Sequence, residues 1–366
     1  MLSLQRTALV LLIALISFSS SSVAGEWPSA QDGLRFALQD GMTPATFFGS
    51  EGTARLGWRL VPKGYGHLRH DGVLMLGHGG FAAEQRANEL AGPLVSGENF
   101  SLALGIHVGE TMSDGALLTV AAGGKNQFAV TQVGDALHVE FNGASGKKSI
   151  AAGEILPSTT TDLLVTANGE SLTVYRDSAQ IESVQWTRQQ ETSQEFSFYL
   201  GELSPKVAGW SGGLDGIGLY TRALTKEEID VVHQEMKDVR EGRPAVESVR
   251  VRAKLVGKST VLTPAELAPY RQGLTVFLYD VEAVLSGDYD GSQLHVAHWT
   301  ALDDTALPFG GLPMDSVLEL QLEAYDDNPQ LATENLSDDI VEDFSIPYFY
   351  DAGGRALRGL PVTPPK

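Results

Sequence analysis

Residues 210–230 read WSGGLDGIGLYTRALTKEEID, and the stretch changes period halfway along. From Leu214 to Tyr220 the residues alternate as in a strand, putting Asp215, Ile217 and Leu219 on one face and Leu214 and Tyr220 on the other. Thr225-Lys226-Glu227-Glu228 then has the spacing of a capping box, in which two free backbone donors are satisfied reciprocally. Leu224 and Ile229 flank it as a hydrophobic staple, and a helix to about Arg240 follows. A carboxylate in register with two core aliphatics raises a physical question. Burying it alone is costly, so Asp215 must accept hydrogen bonds, hold a metal or do chemistry. Gly209 to Gly213 also match G-x-S-x-G, but a nucleophile elbow needs a helix after its serine. Here a strand follows Ser211, which argues against a serine nucleophile.

Upstream, the chain reads as short strands divided by Gly, Asn, Asp and Ser turns: FSLALGIHV, ALLTVAA, NQFAVTQV, ALHVEFNG and EFSFYLG. Asn168-Gly169, between LLVTA and SLTVYR, is the strongest hairpin signal. Strands so spaced predict an all-β sandwich or jelly roll over residues 25–240. Downstream, EGRPAVES reads as a linker, placed at 241–247. A second β unit is expected over 248–351. VRVRAKL and SVLELQLEAY alternate there, and GLTVFLYDVEAVLSGDYDGSQLHVAHW reads as two long strands joined at Ser286 to Gly291. Residues 352–366 are Pro-rich without periodicity and read as a loose tail.

Residues 1–24 have the make-up of a secretory signal: Arg6, an apolar run from Thr7 to Phe18, and Ser22-Val23-Ala24 as a cleavage site. The apolar run is shorter than the roughly 20 residues of a membrane span, and no second run of that length follows. An exported chain beginning near Gly25, periplasmic or extracellular and without a membrane span, is expected. There is no cysteine, which excludes disulfides, thiolate metal sites and cysteine nucleophiles. The 26 basic and 46 acidic residues give a net charge of −20, which makes nucleic acid a poor partner.

The opening stretch, with Trp210, Gly212, Leu214, Asp215, Ile217, Tyr220, Arg222, Ala223, Leu224, Glu227, Glu228 and Ile229, resembles the last strand and exit helix of laminin-G-like, concanavalin A-like jelly rolls. TTDLLVTANGESLTVYRDSAQIES resembles the preceding hairpin, except that Arg176-Asp177-Ser178 departs from the usual Val-Asp-Gly turn. FSFYLGE resembles the strand leading into the signature, and the likeness covers about residues 26–236. It implies that Asp215 starts a strand and either takes backbone N–H bonds or joins a structural calcium site. Calcium needs six to eight oxygens, and GMTPATFFGSEG does not reproduce the partner stretch found in the family. No cofactor is otherwise required. The second unit is more loosely similar to netrin-module or OB-type barrels, through Tyr279, Val281, Val284, Leu285, Gly287, Gly291 and LHVAHW. The order itself, a signal, a laminin-G-like domain, then APYRQGLTVFLYDVEAVLSGDYDG, LHVAHW, YDDNPQL and SDD, is similar to exported bacterial proteins associated with exopolysaccharide-modification systems that have membrane-bound O-acyltransferases.

Catalysis needs more than this pattern supplies. Glycoside hydrolysis takes two carboxylates flanking one bond, and the family's Glu-x-Asp-x-x-Glu strand is absent. Asp280 and Glu282 share a strand face but read as its solvent side. The Arg-x-Glu-Leu-Arg and Gln-Ile-His strands of alginate-lyase-like jelly rolls are also absent. His67, His70 and His78 lie near Asp71; on an extended segment the first two face opposite ways and chelate poorly. His295 and His298 repeat the same spacing. Sugar binding needs only an aromatic platform with polar neighbours, for which Trp58, Tyr65 and Trp186 are candidates, each equally suited to core packing. Trp210 reads as core. The expectation is a non-catalytic binding protein whose partner is a polysaccharide or a cell-envelope protein. The rivals are a hydrolase or lyase with a divergent site and a structural envelope or matrix protein.

Overall fold

The computed structural model describes most of residues 32–352. Its larger omissions within that range are 39–46, 49–54, 188–194, 202–209 and 341–344. The expected signal at 1–24 and nearly all of the expected tail lie outside the described residues. No described helix is long and apolar enough to cross a membrane.

The first unit contains β1 (His67–Leu68), β2 (Leu74–Met75), α1 (Ala87–Ser96), β3 (Asn99–His107), β4 (Thr160–Asn168), β5 (Gly213–Tyr220) and α2 (Lys226–Glu241), all of which but α1 bear on the site. β4, β3 and β5 are antiparallel neighbours at the centre of a ten-stranded sheet, and β2 pairs with the first residues of β5. A seven-stranded sheet lies opposite, ordered Gly146–Glu154, Ala136–Gly143, Lys125–Val133, Gly115–Ala122, Phe196–Gly201, Gly80–Ala83 and Leu60–Lys63. Alternation on β3 puts Phe100, Leu102, Leu104 and Ile106 into the core between the sheets. This is the expected jelly-roll sandwich.

The residues quoted for the family likeness have visible jobs. Trp210 is 1% exposed, and its Nε1 donates to Gln132 Oε1 at 2.6 Å. Its ring lies against Gly212, where a Cβ would stand 2.1 Å from a ring carbon, so this position excludes any side chain. Ser101 Oγ donates to Arg222 O and accepts from Leu224 N, fixing the chain as it enters α2. Both halves of the Thr225/Glu228 capping box are formed, and Arg222 holds Glu228 through two hydrogen bonds of 2.7 and 2.6 Å. The hairpin at Asn168-Gly169 is also formed, Asn168 Oδ1 accepting from Glu170 N and Ser171 N. The unusual Arg176-Asp177-Ser178 turn works because Asp177 and Ser178 both take left-handed φ, 48° and 62°. The Asp177 carboxylate then accepts from Asp162 N and Thr161 Oγ1.

The second unit is a closed barrel of β6 (Ser248–Lys258), β7 (Gly273–Ser286), β8 (Gln293–Leu302), β9 (Val317–Ala324) and β10 (Tyr348–Asp351). Around the ring β7 pairs β8, β8 pairs β10, β10 pairs β9, β9 pairs β6 and β6 pairs β7. Closure removes the free edges that an open five-stranded sheet would leave. Its core, built around Val251, Phe277, Tyr279, Val296 and Leu320, is separate from that of the sandwich.

Candidate functional site

The site begins with a register break. β5 pairs Leu214 with Ile106 of β3 and then Gly216 with Gly105, leaving Asp215 as the extra residue of a bulge. A one-residue slip sends side chains to the opposite face, so Leu214 joins Ile217 and Leu219 in the core. Asp215 emerges instead on the outer face, beneath α2. The expectation that Asp215 shares a face with Ile217 and Leu219 is therefore wrong, because strict alternation fails at the bulge.

Gly105 makes room for that carboxylate. A Cβ there would stand 1.9 Å from Asp215 Oδ1 and 3.0 Å from Met236 Cε. The Asp215 side chain is 2% exposed, and its Oδ1 accepts no hydrogen bond. Its nearest charged partners are guanidiniums at 3.6 Å: Arg240 Nη1 to Oδ1, and Arg243 Nη1 to Oδ2. Arg243 Nη2 also donates to the Asp215 carbonyl at 2.9 Å. Among the described residues no backbone N–H bonds to this carboxylate, which was one of its two expected roles. Calcium, the other, would require oxygen ligands where cations stand. Burial pushes the Asp215 carboxyl above its ordinary value, against the opposing pull of Arg240 and Arg243.

Beside it on β4, Asp162 is fully buried and fully held. Arg240 donates to its two oxygens at 2.6 and 3.0 Å, and His233 Nδ1 lies 2.6 Å from Oδ2. His233 and Arg240 are seven residues apart on α2, two turns along one face, so both reach the same carboxylate. The hydrogen bond to Asp162 raises the His233 imidazole above its ordinary value. Asp162, Asp177 and His233 lie close enough to hold a metal ion, but Asp162 already spends both oxygens on Arg240.

Asp215, Arg240 and Arg243 border a cavity of about 370 Å³ where the sandwich, the end of α2, the linker and the barrel meet. His107 ends β3 on the same outer face as Gly105. The β1–β2 turn brings Arg69, which grips Asp71 through Nε at 2.8 Å and Nη2 at 2.5 Å. The barrel contributes Glu323 of β9, whose Oε2 lies 3.1 Å from His70 Nδ1. Burial lowers the His107 imidazole below its ordinary value, and the charges of Arg69 and Arg243 add to this. Burial pushes the Asp71 carboxyl up, but its bonds to Arg69 outweigh that and hold it below its ordinary value.

The other sequence candidates fall elsewhere. Trp186 is 3% exposed and packs edge-on against Phe100 in the sandwich core, so its ring offers no face to a sugar. Trp58, Tyr65, His78 and Ser211 lie outside the described residues. His295 and His298 are both buried in the barrel. His298 bonds to Tyr279 and Asp351, while His295 lies with its ring centre 4.6 Å from that of Tyr348. Asp280 accepts from Gln293, and Glu282 is exposed. Arg69, His107, Asp162, Arg240 and Arg243 were not singled out by sequence. The available signals were the His233–Arg240 spacing and an Asp two positions before Leu164 on the face of β4 that α2 covers.

No functionally curated protein matches the chain. Among solved structures, the chain is similar to the binding domain of Paraclostridial Mosquitocidal Protein 1, with 12% identity and a TM-score of 0.45, over 80% of this chain and 83% of that one. It is similar to botulinum neurotoxin type C, described as entering cells through interaction with two ganglioside molecules, with 10% identity and a TM-score of 0.43 over 71% of this chain. It is also similar to Trypanosoma rangeli sialidase in complex with sialic acid, with 14% identity and a TM-score of 0.43 over 57% of this chain. The chain spans 64% of that neurotoxin chain and 33% of that sialidase chain, less than two thirds of either. No ligand and no chemistry follow from resemblance at this level. Residues 83–230, the stretch holding α1, β3, β4, β5 and the start of α2, match the laminin-G model of the concanavalin A-like lectin/glucanases superfamily.

Proposed function

We propose that the protein is an exported, non-catalytic glycan-binding protein that seats its ligand in the cavity between sandwich and barrel. The observation that carries this reading is the cavity itself. It gathers guanidinium donors, carboxylate acceptors and a half-buried imidazole from both units. Sugar hydroxyls both donate and accept, and such a mixed set suits them. A volume of about 370 Å³ falls within the ~300–1,000 Å³ usual for small-ligand clefts. The signal-like residues 1–24 support export. The likeness of the whole chain to exopolysaccharide-associated proteins supports an accessory role in polysaccharide modification, with a polysaccharide as the partner.

Passing the purified full-length protein over a panel of immobilised bacterial exopolysaccharides tests the reading. Retention on at least one polymer, with no new chain ends released, is the expected result. Release of new ends would make the protein an enzyme. Retention on none, together with capture of an envelope protein, would make it a protein-binding module.

A further inference from the structure

We infer that the junction cavity takes an uncharged, polyhydroxylated ring, one residue of a neutral glycan, and discriminates against sugars bearing a carboxylate. This rests on the reading of the cavity as the glycan seat, and adds the class of sugar.

The inference follows from how charge is distributed around the cavity. Each guanidinium there already faces a carboxylate: Arg69 faces Asp71, Arg240 faces Asp162 with Asp215 behind it, and Arg243 faces Asp215. The fourth carboxylate, Glu323, is met by His70. His107, its imidazole lowered by burial and by Arg69 and Arg243, adds a polar group without adding positive charge. No guanidinium of this set waits for a counter-ion. A uronate carboxylate entering here would displace Asp71 or Asp215 from its cation, or stand beside them and Glu323 as a like charge in a half-buried place. A cationic ligand would meet Arg69 and Arg243 in the same way.

A hydroxyl meets neither penalty. An arginine has five N–H donors, and Arg69 commits its Nε and Nη2 to Asp71, leaving Nη1 available to a ligand. A neutral imidazole offers one donor and one acceptor, and each carboxylate has lone pairs beyond those its arginine uses. Hydroxyl groups on adjacent ring carbons can bridge such a donor and such an acceptor. The net charge of −20 acts in the same direction at longer range, repelling polyanions before they reach the cavity.

Paired ligands that differ only in the carboxylate test the inference. The probes are the methyl glycosides of the gluco, galacto and manno series, each as hexose and as hexuronate, titrated into the full-length protein at physiological salt with binding read by NMR. In whichever series binds best, the hexose should bind at least about 10-fold more tightly than its uronate, the cost of about one charged hydrogen bond lost or opposed. Asp71→Asn should reverse part of this preference, because it leaves Arg69 without its counter-ion, and uronate affinity should rise. Should that variant melt early, Glu323→Gln removes a charge from the opposite wall and should act in the same direction. Tighter binding of the uronate by the unmodified protein would overturn the inference and leave the glycan-binding reading standing. Binding of neither member of any series would overturn the reading itself.

Discussion

Two buried polar clusters in this molecule make a useful pair. In the barrel, His298 Nε2 lies 2.9 Å from Tyr279 Oη, and its Nδ1 lies 2.9 Å from Asp351 Oδ2. All three side chains are buried, and the imidazole stacks on Phe309 with ring centres 4.4 Å apart. Both ring nitrogens have partners, and apolar rings close over them. Under α2 the arrangement is less complete. Asp162 is held by three hydrogen bonds, yet its neighbour Asp215 meets its cations only at 3.6 Å. The first cluster is sealed inside one core, while the second opens onto a cavity shared by both units. A complete buried network rigidifies a fold, and a loosely paired one beside a cleft leaves polar capacity for a ligand.

The largest effect should come from Arg240→Leu. It strands the Asp162 carboxylate with only His233 and removes one of the two guanidiniums at Asp215. A loss of about 3–5 kcal/mol is expected, as for other broken buried pairs, and urea unfolding will measure it. Tyr279→Phe should cost about 1–3 kcal/mol by leaving one nitrogen of His298 unpaired. It should leave glycan affinity unchanged, because the barrel cluster is not part of the cavity. A loss of binding in that variant would erase the distinction between the clusters.

Asp215→Asn should change stability by less than about 1 kcal/mol near neutral pH, since its Oδ1 accepts no hydrogen bond and its cations stand 3.6 Å away. Its pH dependence has a definite sign. Burial raises the native-state value above the ordinary 3.8, so the folded protein holds this proton more tightly than the unfolded chain. The resulting stability is present below 3.8 and lost as pH rises through the native value. Thermal melts should therefore show the Asn variant gaining on the parent between acid and neutral pH.

His233 gives the smallest expected effect. Its hydrogen bond with Asp162 raises its native value above 6.5, so its contribution is complete below 6.5 and fades as pH rises through the native value. His233→Gln should thus be more destabilising at pH 6 than at pH 9. An equal cost at both would show that the imidazole acts by packing alone.

Much of the architecture was legible because it rests on local chemistry. The capping box at Thr225, the Asn168-Gly169 hairpin and the Trp210-x-Gly212 contact depend on residues close in sequence. The first two form as expected, and Trp210 lies in the core as expected, its contact with Gly212 being seen only in the structure. The facing of Asp215 was not legible, because the bulge that sets it is a relation between β5 and β3. The cavity was still less so. Arg69, His107, Arg243 and Glu323 come from a turn, a strand end, a linker and another unit, and only the fold assembles them. EGRPAVES has the composition of a linker, yet its Arg243 makes two contacts to Asp215. Trp186 shows the complementary error: an amphipathic ring chosen as a sugar platform is taken up by the core, where its Nε1 donates to the Asn142 carbonyl at 3.4 Å.

The seat at the junction is tested most directly by titrating the best-retained glycan into the full-length protein and into its Arg243→Gln and His107→Gln variants, with melting temperatures measured alongside. Both residues line the cavity, and neither belongs to the sandwich core. Affinity about 10- to 100-fold weaker in each variant is the predicted result, at nearly unchanged melting temperature for His107→Gln and a lowered one for Arg243→Gln, which takes a cation from the buried Asp215. Unchanged affinity in both, from proteins that still fold, would place the glycan elsewhere on the molecule and contradict the junction as its seat.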